Sequence, residues 1–77
     1  MIEITLVHAH RQIDLLVPGA VRFDRLRQLV REAFAAKGMV LPDEFSFAFD
    51  DKALAVSGHD FISSFGIGNG DRLQIVT

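Results

Sequence analysis

Apolar and polar positions alternate at the start of the chain. Ile2, Ile4 and Leu6 alternate with Glu3, Thr5 and Val7, the period of a strand whose even residues face a core. Ile13, Leu15 and Val17 alternate with Asp14 and Leu16 and predict a second strand. The stretch between them, His8 to Gln12, is short enough for a hairpin, so the two strands are predicted to be antiparallel neighbours. Pro18-Gly19 ends the second strand, because proline has no N–H to give a ladder.

The period then changes. Phe23, Leu26, Val30, Ala33 and Phe34 fall on one helical stripe, with Leu29 on its flank and Asp24, Arg25, Gln28, Arg31 and Glu32 opposite. This predicts a helix from about Phe23 to Lys37 that lays one face on a sheet. Arg22 is a poor N-cap. With Arg22 as the cap, however, Val21 and Leu26 have the N′ and N4 spacing of a hydrophobic staple. Asp24 suits the positive end of the helix dipole, and Gly38 is the expected C′ residue.

After a connection from Met39 to Glu44, Phe45, Phe47 and Phe49 alternate with Ser46 and Ala48, which predicts a third strand with its rings on one face. Asp50-Asp51-Lys52 reads as a turn and Ala53 to Val56 as a short fourth strand. A loop at Ser57 to Asp60 and a helical turn at Phe61 to Phe65 follow. Asn69-Gly70 is a strong turn signal, because both residues tolerate positive φ. It leads into a last strand, Asp71 to Val76. A hairpin, a crossing helix and returning strands make an α+β domain: a mixed four- to five-stranded sheet with one main helix across one face, and the first and last strands parallel and adjacent. This is the β-grasp arrangement, expected as a single domain over residues 1–77.

In element order and spacing the chain resembles ubiquitin over nearly its whole length, through Ile13, Leu15, Val17, Pro18, Phe23, Leu26, Val30, Phe47, Phe49, Leu54, Ile62, Phe65, Ile67, Leu73 and Ile75. More narrowly it resembles the small bacterial ubiquitin-like proteins of the YukD/EsaB family, which accompany type VII secretion systems. The carrying stretch is Phe65 to Ile75, with an Ile-x-x-Gly-Asp-x-Leu motif at Ile67 to Leu73. An Ile-x-Ile-Thr start and a Leu-x-Val-Pro strand end accompany it. The resemblance implies a non-enzymatic, ubiquitin-like accessory or regulatory component that binds protein partners, among them cytoplasmic parts of a secretion machine. Three other roles fit the same fold: a conjugated modifier, an accessory subunit of a multicomponent oxygenase, and a domain of a larger membrane protein. A modifier needs an extended tail ending in Gly-Gly. Here only Thr77 follows Val76, so no covalent conjugation is expected.

Composition narrows the chemistry. The chain has 77 residues, of which 49% are hydrophobic, enough for a packed core in one small domain. It has no cysteine, which removes disulfides, thiol catalysis and cysteine-ligated zinc. A net charge of −2 argues against a nucleic-acid partner, since phosphate binding needs a concentrated positive field. No apolar run approaches the roughly 20 residues of a spanning helix, so no membrane insertion is expected, and no signal peptide is visible. A cytoplasmic location is the expectation.

His8 and His10 share a face if the strand extends that far and would be half of a metal site, with His59 reaching them only through folding. Solvated hairpin residues are the simpler reading, and no metal or other cofactor is expected. Asp50-Asp51 and Asp60 read as turn residues rather than catalytic acids. Gly66, Gly68 and Gly70 lead into a strand, whereas a phosphate loop leads into a helix. Arg22, Arg25, Arg27 and Arg31 give the helix a basic flank that reads as a solvated face, with an acidic protein or an anionic membrane surface as the sharper alternative. The outward face of the sheet carries Thr5, Val7, Leu16, Ser46, Ala48, Gln74 and Val76. From it, Val7, Leu16, Ala48, Gln74 and Val76 are the candidate protein-binding residues, with Val7, Leu16, Ala48 and Val76 as a modest apolar patch.

Overall fold

A computed structural model describes residues 1–49 and 51–77. Its elements are β1 (Ile2–His8), β2 (Arg11–Val17), α1 (Phe23–Ala36), β3 (Ser46–Phe49), β4 (Lys52–Ala53), a 3₁₀ turn (Ile62–Phe65) and β5 (Arg72–Val76). The sheet order is β2-β1-β5-β3-β4. β1 and β5 run parallel at its centre, with Leu6 beside Leu73, and every other neighbouring pair is antiparallel. This mixed five-stranded sheet under one helix is the β-grasp arrangement.

The alternation predicted for β1 holds, with Ile4 and Leu6 buried and Ile2 half-buried on the helix side. The hairpin is tighter than its spacing required. His8 pairs with Arg11, and the turn is Ala9-His10 alone, at φ 49° and 66°. β2 therefore begins before Ile13.

The helical stripe buries Phe23, Leu26, Val30 and Phe34 fully, and Val21 of the staple is buried as well. Arg22 is the N-cap residue and makes no side-chain cap. Its place is taken by main chain: the carbonyls of Asp60 and Gly58 accept the N–H groups of Phe23 and Asp24. At the other end Gly38, at φ 78°, donates to Ala35 while Met39 donates to Phe34. This pair of bonds is a Schellman motif, and it ends the helix at Ala36 rather than Lys37.

The aromatic rings meet beneath the helix. Phe23 lies 6.0 Å from Phe47 and 5.6 Å from Phe65, and Phe45 stands edge-on to Phe47 at 5.5 Å. Phe34, Phe47 and Leu73 share a buried cluster. Phe45 lies just before β3, and Phe49 is only half-buried.

The fourth strand is displaced from its predicted position. Pairing with β3 is confined to Lys52 and Ala53, and after Leu54 donates to the Phe47 carbonyl the chain leaves the sheet. Leu54 and Val56 then pack at the margin of the core. Asp51 turns at φ 61°, and Asp50 of the predicted turn lies outside the described residues.

Candidate functional site

α1 covers one face of the sheet, and the strand registers arrange what lies on the other. Across the free face one row reads Gln12, Val7, Gln74, Ala48, Ala53. A second row reads Asp14, Thr5, Arg72, and a third sets Leu16 beside Glu3. Val76 lies next to Ser46, two residues along β5 from Gln74.

These rows divide the predicted apolar patch. Val7, Ala48, Gln74 and Val76 come together. Leu16, at 61% exposure, does not join them, because the polar row of Asp14, Thr5 and Arg72 intervenes. That row is held by the Thr5 hydroxyl donating to Asp14 Oδ1 at 2.7 Å. Ala48 also departs from the sequence reading. It faces outward yet is only 8% exposed, because its short side chain lies between the neighbours on β4 and β5. It floors the cluster, and the groups able to contact a partner are half-buried Val7 with exposed Gln74 and Val76.

Val76 and Thr77 form the shared wall of two open grooves, each of about 490 Å³. One runs along Val7, His8, His10 and Gln74. The other contains Arg27, Glu44, Phe45 and Ser46. Sequence reasoning missed both, because each forms at strand ends that only the fold brings together: β5 outlasts its pairing with β1 beyond Gln74, and β3 begins at Ser46 beside Val76.

The polar clusters are drawn into the fold. His8 stands edge-on to Phe34 at 6.2 Å on the helix side, while His10 is in the turn, so the two histidines do not share a face. Among the described residues no group of three or more His, Asp or Glu is placed to hold a metal ion. Asp60 accepts the N–H of Ser57 at 2.8 Å and Asp71 that of Gly68 at 2.6 Å, the local bonds of turn-forming carboxylates. The helix arginines are partly engaged within the chain. Arg22 lies over the Phe61 ring at 5.0 Å, Arg31 pairs with Asp43 at 3.4 Å, and Arg25 donates to Gln28 at 3.1 Å. Among the described residues no helix is long and apolar enough to cross a membrane.

No protein-family model matches the chain. Over 75 residues it is 29% identical to an uncharacterized protein of Clostridium acetobutylicum, covering 97% of this chain and 81% of that protein. Several solved structures superpose on nearly all of it. The first is ATBAG1 in complex with HSP70, with a TM-score of 0.76 and 12% identity; the match covers 99% of this chain and 40% of that one. The second is the ubiquitin of Caldiarchaeum subterraneum, with a TM-score of 0.69, 20% identity and coverage of 99% and 91%. The third is the ubiquitin-like domain of the Mycobacterium tuberculosis type VII secretion system protein ECCD1, with a TM-score of 0.73, 16% identity and coverage of 99% and 97%. The fold is ubiquitin-like.

Proposed function

We propose that this chain is a non-catalytic protein-binding module that acts as an accessory or regulatory component of bacterial type VII secretion, through non-covalent contact with the cytoplasmic part of the machine. The carrying observation is the uncovered sheet face, where Val7 and Val76 flank Gln74 above Ala48. Apolar groups set among polar neighbours supply binding energy once desolvated, whereas the charged outer face of α1 tunes rate and salt dependence. The secretion setting is supported by the likeness to the ECCD1 domain and by the Ile67 to Leu73 motif.

The test is affinity purification of the tagged chain from native cells, with bound proteins identified by mass spectrometry. Type VII secretion components are expected in the wild-type eluate. Gln74→Arg combined with Val76→Asp is expected to keep the circular dichroism of the fold and lose those proteins. Arg25→Ala with Arg31→Ala is expected to retain most of them, with the loss larger at low salt. A folded sheet-face variant that recovers the same proteins would move the contact to the helix face. An eluate without secretion components would refute the setting.

A further inference from the structure

The sheet has two edges, and they differ. β4 is two residues long and carries Lys52, a short charged edge of the kind that resists pairing. β2 is seven residues long, pairs with β1 along its whole length, and contains no proline, lysine or bulge. Its outer side is a long open strand edge.

The register specifies which groups that edge offers. A two-residue turn makes His8 and Arg11 the closing hydrogen-bonded pair, so Ile13, Leu15 and Val17 also direct their N–H and C=O toward β1. Gln12, Asp14 and Leu16 direct theirs outward. On the helix side, Ile13 and Leu15 are half-buried against the core. On the other side the Asp14 carboxylate is held through Oδ1 by Thr5.

A second copy of the chain fits this edge badly. Antiparallel self-pairing uses all three outward residues in one register only, Asp14 against Asp14 with Gln12 against Leu16. That register sets two like charges directly opposite, which is destabilising. A slip of two residues one way brings Gln12 against Pro18, which has no N–H. A slip the other way brings Leu16 against His10, which is in the turn at φ 66°.

We propose that the β2 edge adds an extended segment of a partner protein with the pattern aliphatic–basic–aliphatic. The basic side chain lies opposite Asp14, and the aliphatic ones lie beside Ile13 and Leu15 on the helix side. Main-chain bonds to Gln12, Asp14 and Leu16 hold the segment, and the side-chain pattern selects it. The edge is separate from the Val7 and Val76 face, so one chain can engage both, and the proposal stands or falls independently of the secretion setting.

The test is a nuclear magnetic resonance titration of the full chain with two capped pentapeptides, Thr-Val-Lys-Val-Thr and Thr-Val-Glu-Val-Thr. The lysine peptide is expected to shift the amides of Gln12, Asp14 and Leu16 by about 1 mM, the weak end of specific recognition. The glutamate peptide is expected to bind at least about tenfold more weakly, the effect of setting like charges opposite rather than unlike ones. Asp14→Lys should reverse the preference, with unchanged amides elsewhere showing an intact fold. Equal binding of the two peptides, no shift at about 1 mM, or shifts centred on Val7 and Val76 would each overturn the proposal. Concentration-dependent dimerisation of the wild-type chain through the β2 amides would overturn it too, with a second copy as the occupant.

Discussion

The main-chain N–H of Phe23 donates to the carbonyl of Asp60 at 3.0 Å, and the next N–H, that of Asp24, donates to Gly58 at 3.0 Å. The start of the helix is therefore capped by a loop far along the chain, which accounts for an N-cap residue, Arg22, with no capping side chain.

This dependence predicts that the Ser57–Asp60 loop carries helix stability. A Cβ on Gly58 would stand 3.2 Å from Asp24 Cβ and 3.9 Å from its Cα. Gly58→Val should push the loop off the helix start and destabilise by about 1–3 kcal/mol, as the first main-chain donors of the helix lose their partners. Asp60→Ala removes only the local bond to the Ser57 N–H and should cost about 1 kcal/mol. Chemical denaturation of the two variants checks the order. A Gly58→Val protein as stable as the wild type would show that the loop does not cap the helix.

Phe47 is 1% exposed and lies against both Phe23 and Phe45. Phe47→Ala should cost about 3–5 kcal/mol, a large share of the roughly 5–15 kcal/mol expected for a domain. A loss under about 1 kcal/mol in denaturant titration would contradict the packing of these rings.

Those two variants mark what could be read from the sequence. The burial of Phe47 was legible, because strand and helix periods report which side chain faces inward. So was the turn at Gly70, because few residues take positive φ. Capping by Gly58 and Asp60 was not, since a carbonyl that reaches across the fold has no residue-type signature. The candidate face was half legible. Alternation places Leu16 and Val7 on the same side of the sheet, but only the pairing of Thr5 with Asp14 and Arg72 shows that a polar row separates them. Alternation puts Ala48 on the outward face too, but its burial depends on the strands on either side of it.

Gly70 sits at φ 84°, and its N–H donates to the Glu3 carbonyl at 2.7 Å, joining the glycine-rich segment to the start of β1. The Asn69 side chain accepts the Glu3 N–H at 2.8 Å beside it. A Cβ at Gly70 would meet nothing within 4 Å, so any cost of substitution comes from the backbone conformation alone. Gly70→Val should destabilise by about 1–3 kcal/mol, while Gly70→Asn should cost less, because asparagine tolerates the left-handed region. Thermal unfolding compares them, and equal losses would refute backbone strain as the cause.

The β1–β2 turn has the opposite problem: a left-handed geometry without the residues that favour it. Ala9 and His10 both take positive φ, the signature of a type I′ hairpin, for which Asn-Gly is the preferred pair. The geometry is imposed by the strands. Seven consecutive pairs from Ile2↔Val17 to His8↔Arg11 leave only two residues to reverse the chain, and slipping the register by one would turn Ile4 and Leu6 out of the core. Both turn residues are exposed, so replacing them disturbs no buried contact, and His8, which lies against Phe34, is left in place. Ala9→Asn with His10→Gly should therefore stabilise the protein by roughly 1 kcal/mol, part of the relieved strain being offset by the greater freedom of glycine in the unfolded chain. For a domain of this size that gain should raise the unfolding temperature by about 4–8 °C. Amide spectra should stay unchanged beyond the turn, because the registry is set by the strands. A lower unfolding temperature with unchanged spectra would mean that Ala9 and His10 carry no strain in this turn.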